Sequence, residues 1–280
     1  MQRGRKRNRV SLGVWSAPNG FILLATYKMK LFKPIFNQPR GTPSSALHSN
    51  PVRRYASCDC LAPQYKHQRW EELKIHSLAQ DTTSEAWQAL EQYISAVEAS
   101  GGNEMNPIEA IGPERWGKII VLPRSIKNLK SVKYLGLYGS HLVRIPPEIG
   151  EMTNLEEFDP YTSYCLHWFP YEITRCRRLR LSRVSTRALY GNYKYRPPFP
   201  RLPAAIADIA PECCSVCEGA FKEGGPRQVW ISLRVATDVL PLLVHACSEE
   251  CVAALPNAPL GYVERPHRGG LQVRQPPPKP

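Results

Sequence analysis

Four cysteines in two close pairs are the residues of this sequence with the clearest potential for chemistry. Cys214 and Cys217 form a Cys-x2-Cys pair, and Cys247 and Cys251 form a Cys-x3-Cys pair that begins 30 residues after Cys217. Thiolates in close pairs supply two metal ligands each without closing a long loop, and four thiolates suit the tetrahedral coordination of zinc. The spacing therefore predicts a Zn2+ site bound by these four side chains.

Other uses of the same cysteines stay open at this point. Cys213 or His245 could replace one ligand, or the thiols could be buried without metal or be redox-active. The chain has nine cysteines, and their uneven spread does not match the disulfide framework of a small secreted protein. Four protein ligands leave no coordination position for water, so the predicted metal is structural and not catalytic.

The elements around the two pairs have a recognisable order. Ser248 is a good N-cap residue, so Cys247 and Cys251 are expected on either side of a helix start, while residues 228–235 read as a strand. A close cysteine pair, strands and then a helix with the second pair is the order of a treble-clef zinc finger. The segments CSVC and CSEEC resemble the FCS-like zinc fingers, although Ala246 stands where that group has Phe. The resemblance implies a structural zinc site and names no ligand for the domain.

A repeat precedes the cysteine region. The segments LPRSI, IPPEI and FPYEI begin at Leu122, Ile145 and Phe169, so their spacing is 23 and then 24 residues. Between them, apolar residues recur as L-x-x-L-x-L, which is typical of a short strand whose alternate side chains point inward. Stacked units of this kind bury together an apolar edge that one unit cannot bury alone.

The repeat resembles leucine-rich repeats of the 23-residue type, with the I-P-x-x-I signature. Segments such as LYGSHLVRIPPEIGEMTNLEEF are similar to bacterial leucine-rich repeat proteins of unassigned function, over roughly residues 82–275. The resemblance implies an α/β fold, a short solenoid of about three units whose ends need covers. The expected covers are a helical cap before the repeats and the zinc module after them.

The amino-terminal cover is predicted from periodicity. Apolar residues recur at helical spacing over residues 82–100, with Thr82 and Glu85 as a possible capping box and Gly101 as the stop. A shorter amphipathic helix is expected over residues 69–79. The predicted organisation is a basic disordered tail (1–66), a helical cap (67–103), repeats (104–203) and a zinc-finger-like module with an extended Pro-rich end (204–280).

The predicted repeat strands also indicate a binding surface. Side chains between the inward-pointing ones face outward on the concave side of such a solenoid, and aromatic and arginine side chains dominate the contact energy of protein interfaces. We therefore expect a protein partner to bind there, of an identity that the sequence does not name. The expected contact residues are Tyr134, Tyr138, Glu157, Asp159, Tyr161 and Arg183.

The formal net charge of +13 belongs to one end of the chain. Residues 1–58 contain eleven Arg and Lys and no acidic residue, whereas the remaining 26 basic residues nearly balance the 24 acidic ones. A basic tail can contact phosphate, so a nucleic-acid binder that uses residues 1–58 together with the zinc finger is the alternative function. The tail could equally be a targeting segment or a solvated extension.

The sequence favours a non-enzymatic protein. It contains no phosphate-binding glycine loop, HExxH, GxSxG or dinucleotide fingerprint. The uncharged stretch over residues 10–27 is interrupted by Ser, Pro, Asn and Gly, so no membrane span is expected. We expect a cytoplasmic protein with reduced thiols.

Overall fold

The structure, a computed structural model, describes residues 70–202 and 210–277. Helices alternate with strands in parallel and mixed sheets, so the predicted α/β class is confirmed. Within those two ranges, no helix combines the length and the apolar character that crossing a bilayer requires. The basic segment 1–58 lies outside the described residues, and the predictions made for it stay predictions.

Helix α1 (Glu85–Ser100) carries the predicted apolar face on its buried side. The predicted capping box was wrong by two residues. Ser84 is the N-cap and accepts a 3.3 Å hydrogen bond from the backbone N–H of Trp87, whereas Thr82 lies in the preceding turn. Gly101 ends the helix in a left-handed conformation (φ 63°), as predicted, because a residue without Cβ adopts this conformation freely.

A parallel sheet of four short strands follows the helix, and its strands lie in the order β1, β2, β3, β5. Each strand from β2 onward comes after a 3-10 helix that begins directly behind a proline. Both the strands and the 3-10 helices recur at intervals of 23 and then 24 residues, so the predicted repeat is present as a structural repeat. The strands are β1 (Glu104–Met105), β2 (Tyr134–Gly136), β3 (Glu157–Asp159) and β5 (Leu181–Ser182); the 3-10 helices are Arg124–Asn128, Pro147–Glu151 and Tyr171–Arg175.

The interior of the repeats is built from equivalent positions of successive units. Leu135 of β2 and Phe158 of β3 point inward, and Ile126, Ile149 and Ile173 of the three 3-10 helices meet them from the opposite side, all with at most 1% exposure. Two short one-turn helices connect β1 to the first complete unit, and α1 covers it. The short helices are α2 (Pro107–Ala110) and α3 (Pro113–Trp116).

A second sheet attaches the carboxy-terminal region to the repeats. Strand β4 (Phe169–Pro170) belongs to the third repeat but pairs in parallel with β7 (Asp238–Ala246), with Phe169 opposite Leu242. Strand β7 pairs antiparallel with β6 (Arg227–Val235), which confirms the predicted strand, and α4 (Glu249–Ala253) follows. Apolar side chains of this hairpin share one continuous core with the repeats and α1.

The segment from residue 70 to residue 80 corrects a second helix prediction. The expected amphipathic helix is absent, and residues 70–80 form neither helix nor strand. Leu73 packs with the Trp168 and Tyr190 cluster, and the carbonyl oxygen of Leu78 accepts a hydrogen bond from Arg144. The carboxamide oxygen of Gln80 accepts one from the backbone N–H of Ile120. Three repeat units thus contact this segment, and such tertiary contacts outweigh a weak local helix preference.

Candidate metal centre and sheet face

The four predicted cysteines converge at the end of the hairpin. Their Sγ atoms all lie within 4.8 Å of one another, and Cys247 Sγ lies 3.6 Å from Cys217 Sγ and 3.5 Å from Cys251 Sγ. A tetrahedral site with Zn–S bonds of about 2.3 Å separates its sulfurs by about 3.8 Å. The arrangement could therefore hold one metal ion with four thiolate ligands.

Local backbone geometry places each pair. Cys214 is fully buried at the start of a tight turn, in which its carbonyl oxygen accepts the N–H of Glu218 and its own N–H donates to the carbonyl of Gly219. The second pair lies at the start of α4, where the hydroxyl of Ser248 accepts the N–H of Cys251 at 3.3 Å. The predicted N-cap is confirmed, and the turn at Cys214 and the start of α4 together hold the four thiols.

Backbone donors also distinguish Cys214 from the other thiols. Burial raises the pKa of Cys214, but the backbone N–H groups of Cys217, Val216 and Cys247 outweigh it and lower that pKa to about 7. The neighbouring thiols of Cys251 and Cys217 raise the pKa of Cys247 to about 12. Hydrogen bonds from these backbone N–H groups thus favour the thiolate form of Cys214, which is the form that binds a metal ion.

The two alternative ligands do not join the cluster. His245 lies on β7, where its backbone pairs with Ser215 through hydrogen bonds of 2.8 and 2.9 Å, and its side chain is buried apart from the four thiols. Burial lowers the pKa of His245 to about 4. Cys213 is half-buried and also lies outside the group. The described residues thus provide a four-thiol set as the candidate site.

Arg175 connects this site to the repeats and was not predicted. Its guanidinium donates hydrogen bonds to the carbonyl oxygens of Ser215 (3.2 Å) and Cys214 (3.4 Å), and it lies 3.6 Å from the carboxylate of Glu218. Arg175 ends the third 3-10 helix, whereas its partners lie about forty residues later in the sequence. A contact between such distant segments has no periodic signal, and sequence reasoning could not find it.

The predicted partner-binding residues lie on one face of the parallel sheet, and their side chains differ in exposure. Tyr138, Tyr161 and Arg183 are exposed, and Tyr134 and Glu157 are half-buried. Asp159 is buried, because its carboxylate accepts hydrogen bonds from the N–H of Tyr161 (3.1 Å) and from the guanidinium of Arg183 (3.2 Å). Asp159 therefore positions Tyr161 and Arg183 and is not itself exposed to a partner.

Glu104 belongs to the same face and was missed. It lies on β1, opposite Tyr134 of β2, which in turn lies opposite Glu157 of β3. The first interval, from Glu104 to Tyr134, is 30 residues, because α2 and α3 are inserted between β1 and the first 3-10 helix. The 23-residue period therefore gave no signal for β1.

No family model matches the chain, and no curated protein matches it. Among solved structures, the chain is similar to an LRR protein of Leptospira interrogans, with 26% sequence identity over 28% of this chain and a TM-score of 0.21. The match spans 20% of that protein's chain. Functional conclusions therefore rest on the repeat, the thiol cluster and the sheet face themselves.

Proposed function

We propose that this chain is a non-enzymatic interaction protein of the leucine-rich repeat class that binds a protein partner on its parallel sheet face. The observation that carries the proposal is the alignment of tyrosine, carboxylate and arginine side chains along one face of the parallel sheet, on its strands and directly after them. Aromatic and arginine side chains contribute most of the energy at protein interfaces, and rigid strands lose little entropy when a partner binds.

We further propose that the four cysteines bind structural Zn2+ in a treble-clef-like module. Thiolate ligands in a tetrahedral set favour zinc among the common protein metals, and four protein ligands leave no place for substrate. The role of the ion is to fix the turn at Cys214 against the start of α4. The hairpin between these two points then stays packed on the third repeat, which ends the solenoid.

Site-specific photo-crosslinking tests the binding face. A benzophenone amino acid is placed at Tyr161, on the face, or at Leu78, which is 58% exposed and lies in the irregular segment before α1. The full chain is irradiated in an extract of its natural source. We expect a discrete adduct from position 161 that excess wild-type protein suppresses, and no such adduct from position 78. Equal adducts from both positions would refute a specific face.

A further inference from the structure

We propose that the partner segment is an extended, positively charged peptide that lies along the strands of the sheet face. One basic side chain of the peptide binds at the strand starts, and one aromatic or arginine side chain binds at the strand ends. This inference rests on the proposed function, because it assigns the chemistry of the partner for the same surface.

The strand starts form an acidic end of the face. Glu104, Tyr134 and Glu157 lie side by side in one row across β1, β2 and β3. Glu104 is exposed, and none of the ion pairs formed among the described residues includes it; Glu157 has only a distant contact of 3.9 Å with Arg180. A cationic side chain above Tyr134 would therefore meet two carboxylates on either side of an aromatic ring.

The hydroxyl of Tyr134 reports the negative potential at this end. Burial raises the pKa of Tyr134, and the carboxylates of Asp159, Glu157 and Glu104 raise it further, against the opposing charge of Arg183. Gly136 leaves room for this arrangement, because a Cβ there would lie 2.9 Å from the Tyr134 ring. The ring consequently lies flat along the strand, where its outer side can contact a ligand.

The positive charges of the face lie at the opposite edge and are already engaged. Arg183 pairs with Asp159 at 3.2 Å, and Arg180 pairs with Glu156 at 3.0 Å. Both arginines belong to the turn of chain around β5, the last strand of the sheet. A cationic peptide is therefore attracted toward β1–β3, whereas the phosphates of a nucleic acid would be repelled by the carboxylates of Glu104 and Glu157 there.

The strand ends form an aromatic end. Tyr138 and Tyr161 are 39% and 44% exposed, and their ring centroids are 6.1 Å apart with a 38° angle between the ring planes. Each tyrosine precedes a residue in the left-handed conformation, Gly139 and Thr162, both with φ of 64°. Two neighbouring tyrosine rings that are both exposed suit stacking with an aromatic or guanidinium group.

The distance between the acidic end and the aromatic end of the face determines the spacing of the two binding side chains in the peptide. Backbone hydrogen bonds continue the β2–β3 ladder from Leu137 N to Asp159 O (2.8 Å) and from Gly139 N to Tyr161 O (2.9 Å). Tyr134 and Tyr138 are thus four residues apart on nearly straight chain, a distance of about 13 Å. An extended peptide covers this distance with a basic residue and an aromatic or arginine residue four positions apart.

Selection from a random peptide library tests this assignment. A phage library of random twelve-residue peptides is selected on the full-length, metal-loaded protein after depletion on the Tyr138→Ala, Tyr161→Ala double variant. We expect the enriched peptides to carry Lys or Arg four positions from an aromatic residue or Arg. Binding of a synthetic enriched peptide should weaken at least tenfold for Glu157→Lys and for Glu104→Lys. The matched control is Glu109→Lys, because Glu109 is an exposed residue of α2. This variant should bind the peptide with the affinity of the wild type.

The outcomes separate this inference from the proposed function. Peptides that require Tyr138 and Tyr161 but lack a basic residue, or that bind the Glu104 and Glu157 variants unchanged, overturn the inference and leave the binding face intact. Peptides that bind the double variant as well as the wild type, or a library without enriched sequences, overturn both. Circular dichroism confirms beforehand that each variant is folded.

Discussion

Thr237, in the turn between β6 and β7, donates a 2.7 Å hydrogen bond to the backbone carbonyl of Ser182 in β5. The backbone N–H of Ser182 donates to the hydroxyl oxygen of Thr237 at 3.1 Å, and the hydroxyl of Ser182 donates to the carboxylate of Asp238 at 2.8 Å. Strand β5 is the last of the parallel sheet, and an open strand edge leaves its backbone groups without partners. Side chains of the hairpin turn satisfy this edge in place of a further strand.

The edge contact predicts a specific loss of stability in Thr237→Val. The variant keeps the shape of the side chain and removes the hydroxyl that both donates to and accepts from Ser182, so we expect the free energy of unfolding to fall by about 1–2 kcal/mol. Urea denaturation followed by circular dichroism measures this change. Thr153→Val, in an exposed turn of the second repeat, is the control and should change stability by less than about 0.5 kcal/mol. Equal losses in the two variants would contradict the edge contact.

Sequence periodicity predicted the parts of the fold whose contacts are local or regularly repeated. The apolar face of α1 and the 23-residue interval both reflect the same residue types at fixed spacing, so each can be read along the chain. The two cysteine pairs are similar, because each pair is placed by its own turn or helix start. Only their convergence required the fold.

The missed features depend either on contacts between distant segments or on a choice between neighbouring polar residues. Phe169 fits the repeat pattern, yet its backbone pairs with Leu242 of the hairpin, and no local signal marks that partner. Ser84 replaced Thr82 as the N-cap because Asp81 accepts the N–H of Thr83 at 2.9 Å and forms a turn before the helix. Choices of this kind between neighbouring polar residues move a helix boundary by one or two residues, and a sequence pattern does not resolve them.

Metal analysis should separate the four clustered cysteines from their neighbour Cys213. We expect about one zinc per chain in the wild type and in Cys213→Ser, because Cys213 lies outside the thiol group. The double variant Cys214→Ser, Cys251→Ser loses one ligand from each pair and should contain none. Elemental mass spectrometry of the purified proteins measures the content.

The bound metal ion should stabilise the folded protein. Removal of the ion leaves the turn at Cys214 and the start of α4 unconnected, so we expect the melting temperature of the wild type to fall on addition of a strong chelator and to recover with Zn2+. A structural zinc site would be contradicted if the wild type contained no metal, or if its melting temperature did not change on addition of the chelator. Loss of metal in Cys213→Ser would instead redefine the ligand set.

Arg175 should influence how firmly the metal is held although it is not a ligand. Its hydrogen bonds to the carbonyl oxygens of Cys214 and Ser215 orient the turn that carries the first pair, and such supporting contacts are commonly worth about tenfold or more in metal affinity. We expect Arg175→Ala to release zinc to a chromophoric chelator at about tenfold lower chelator concentration than the wild type.

The control for this experiment is Arg178→Ala, from the same repeat. Arg178 is exposed and donates to the side chain of Asn154, away from the thiols. Arg178→Ala removes one positive charge, as Arg175→Ala does, so any effect of net charge on metal affinity appears in both variants. Identical release from the two variants would show that Arg175 does not orient the turn.

His167 should make the fold sensitive to acid. Its side chain is 1% exposed, and its Nδ1–H donates a 2.6 Å hydrogen bond to the carbonyl of Ala188. The rings of His76 and Tyr190 lie 5.0 and 5.3 Å away. Burial and the neighbouring His76 lower the pKa of His167 to about 4, so the imidazole stays neutral in the folded protein. In the unfolded chain it has the ordinary histidine pKa of about 6.5.

The sign of the pH dependence follows from these two values. Between pH 6.5 and about pH 4 the unfolded chain binds the proton and the folded chain does not, so the contribution of His167 to stability is complete above pH 6.5 and decreases as the pH falls through this window. The full effect is on the order of 3 kcal/mol. His167→Gln should be less stable than the wild type at pH 7.5, because Gln does not fill the same space. As the pH falls from 7.5 to 4.5, however, the variant should lose less stability than the wild type. Urea denaturation of both proteins at pH 7.5, 6, 5 and 4.5 measures the two slopes, and parallel slopes would refute the role of His167.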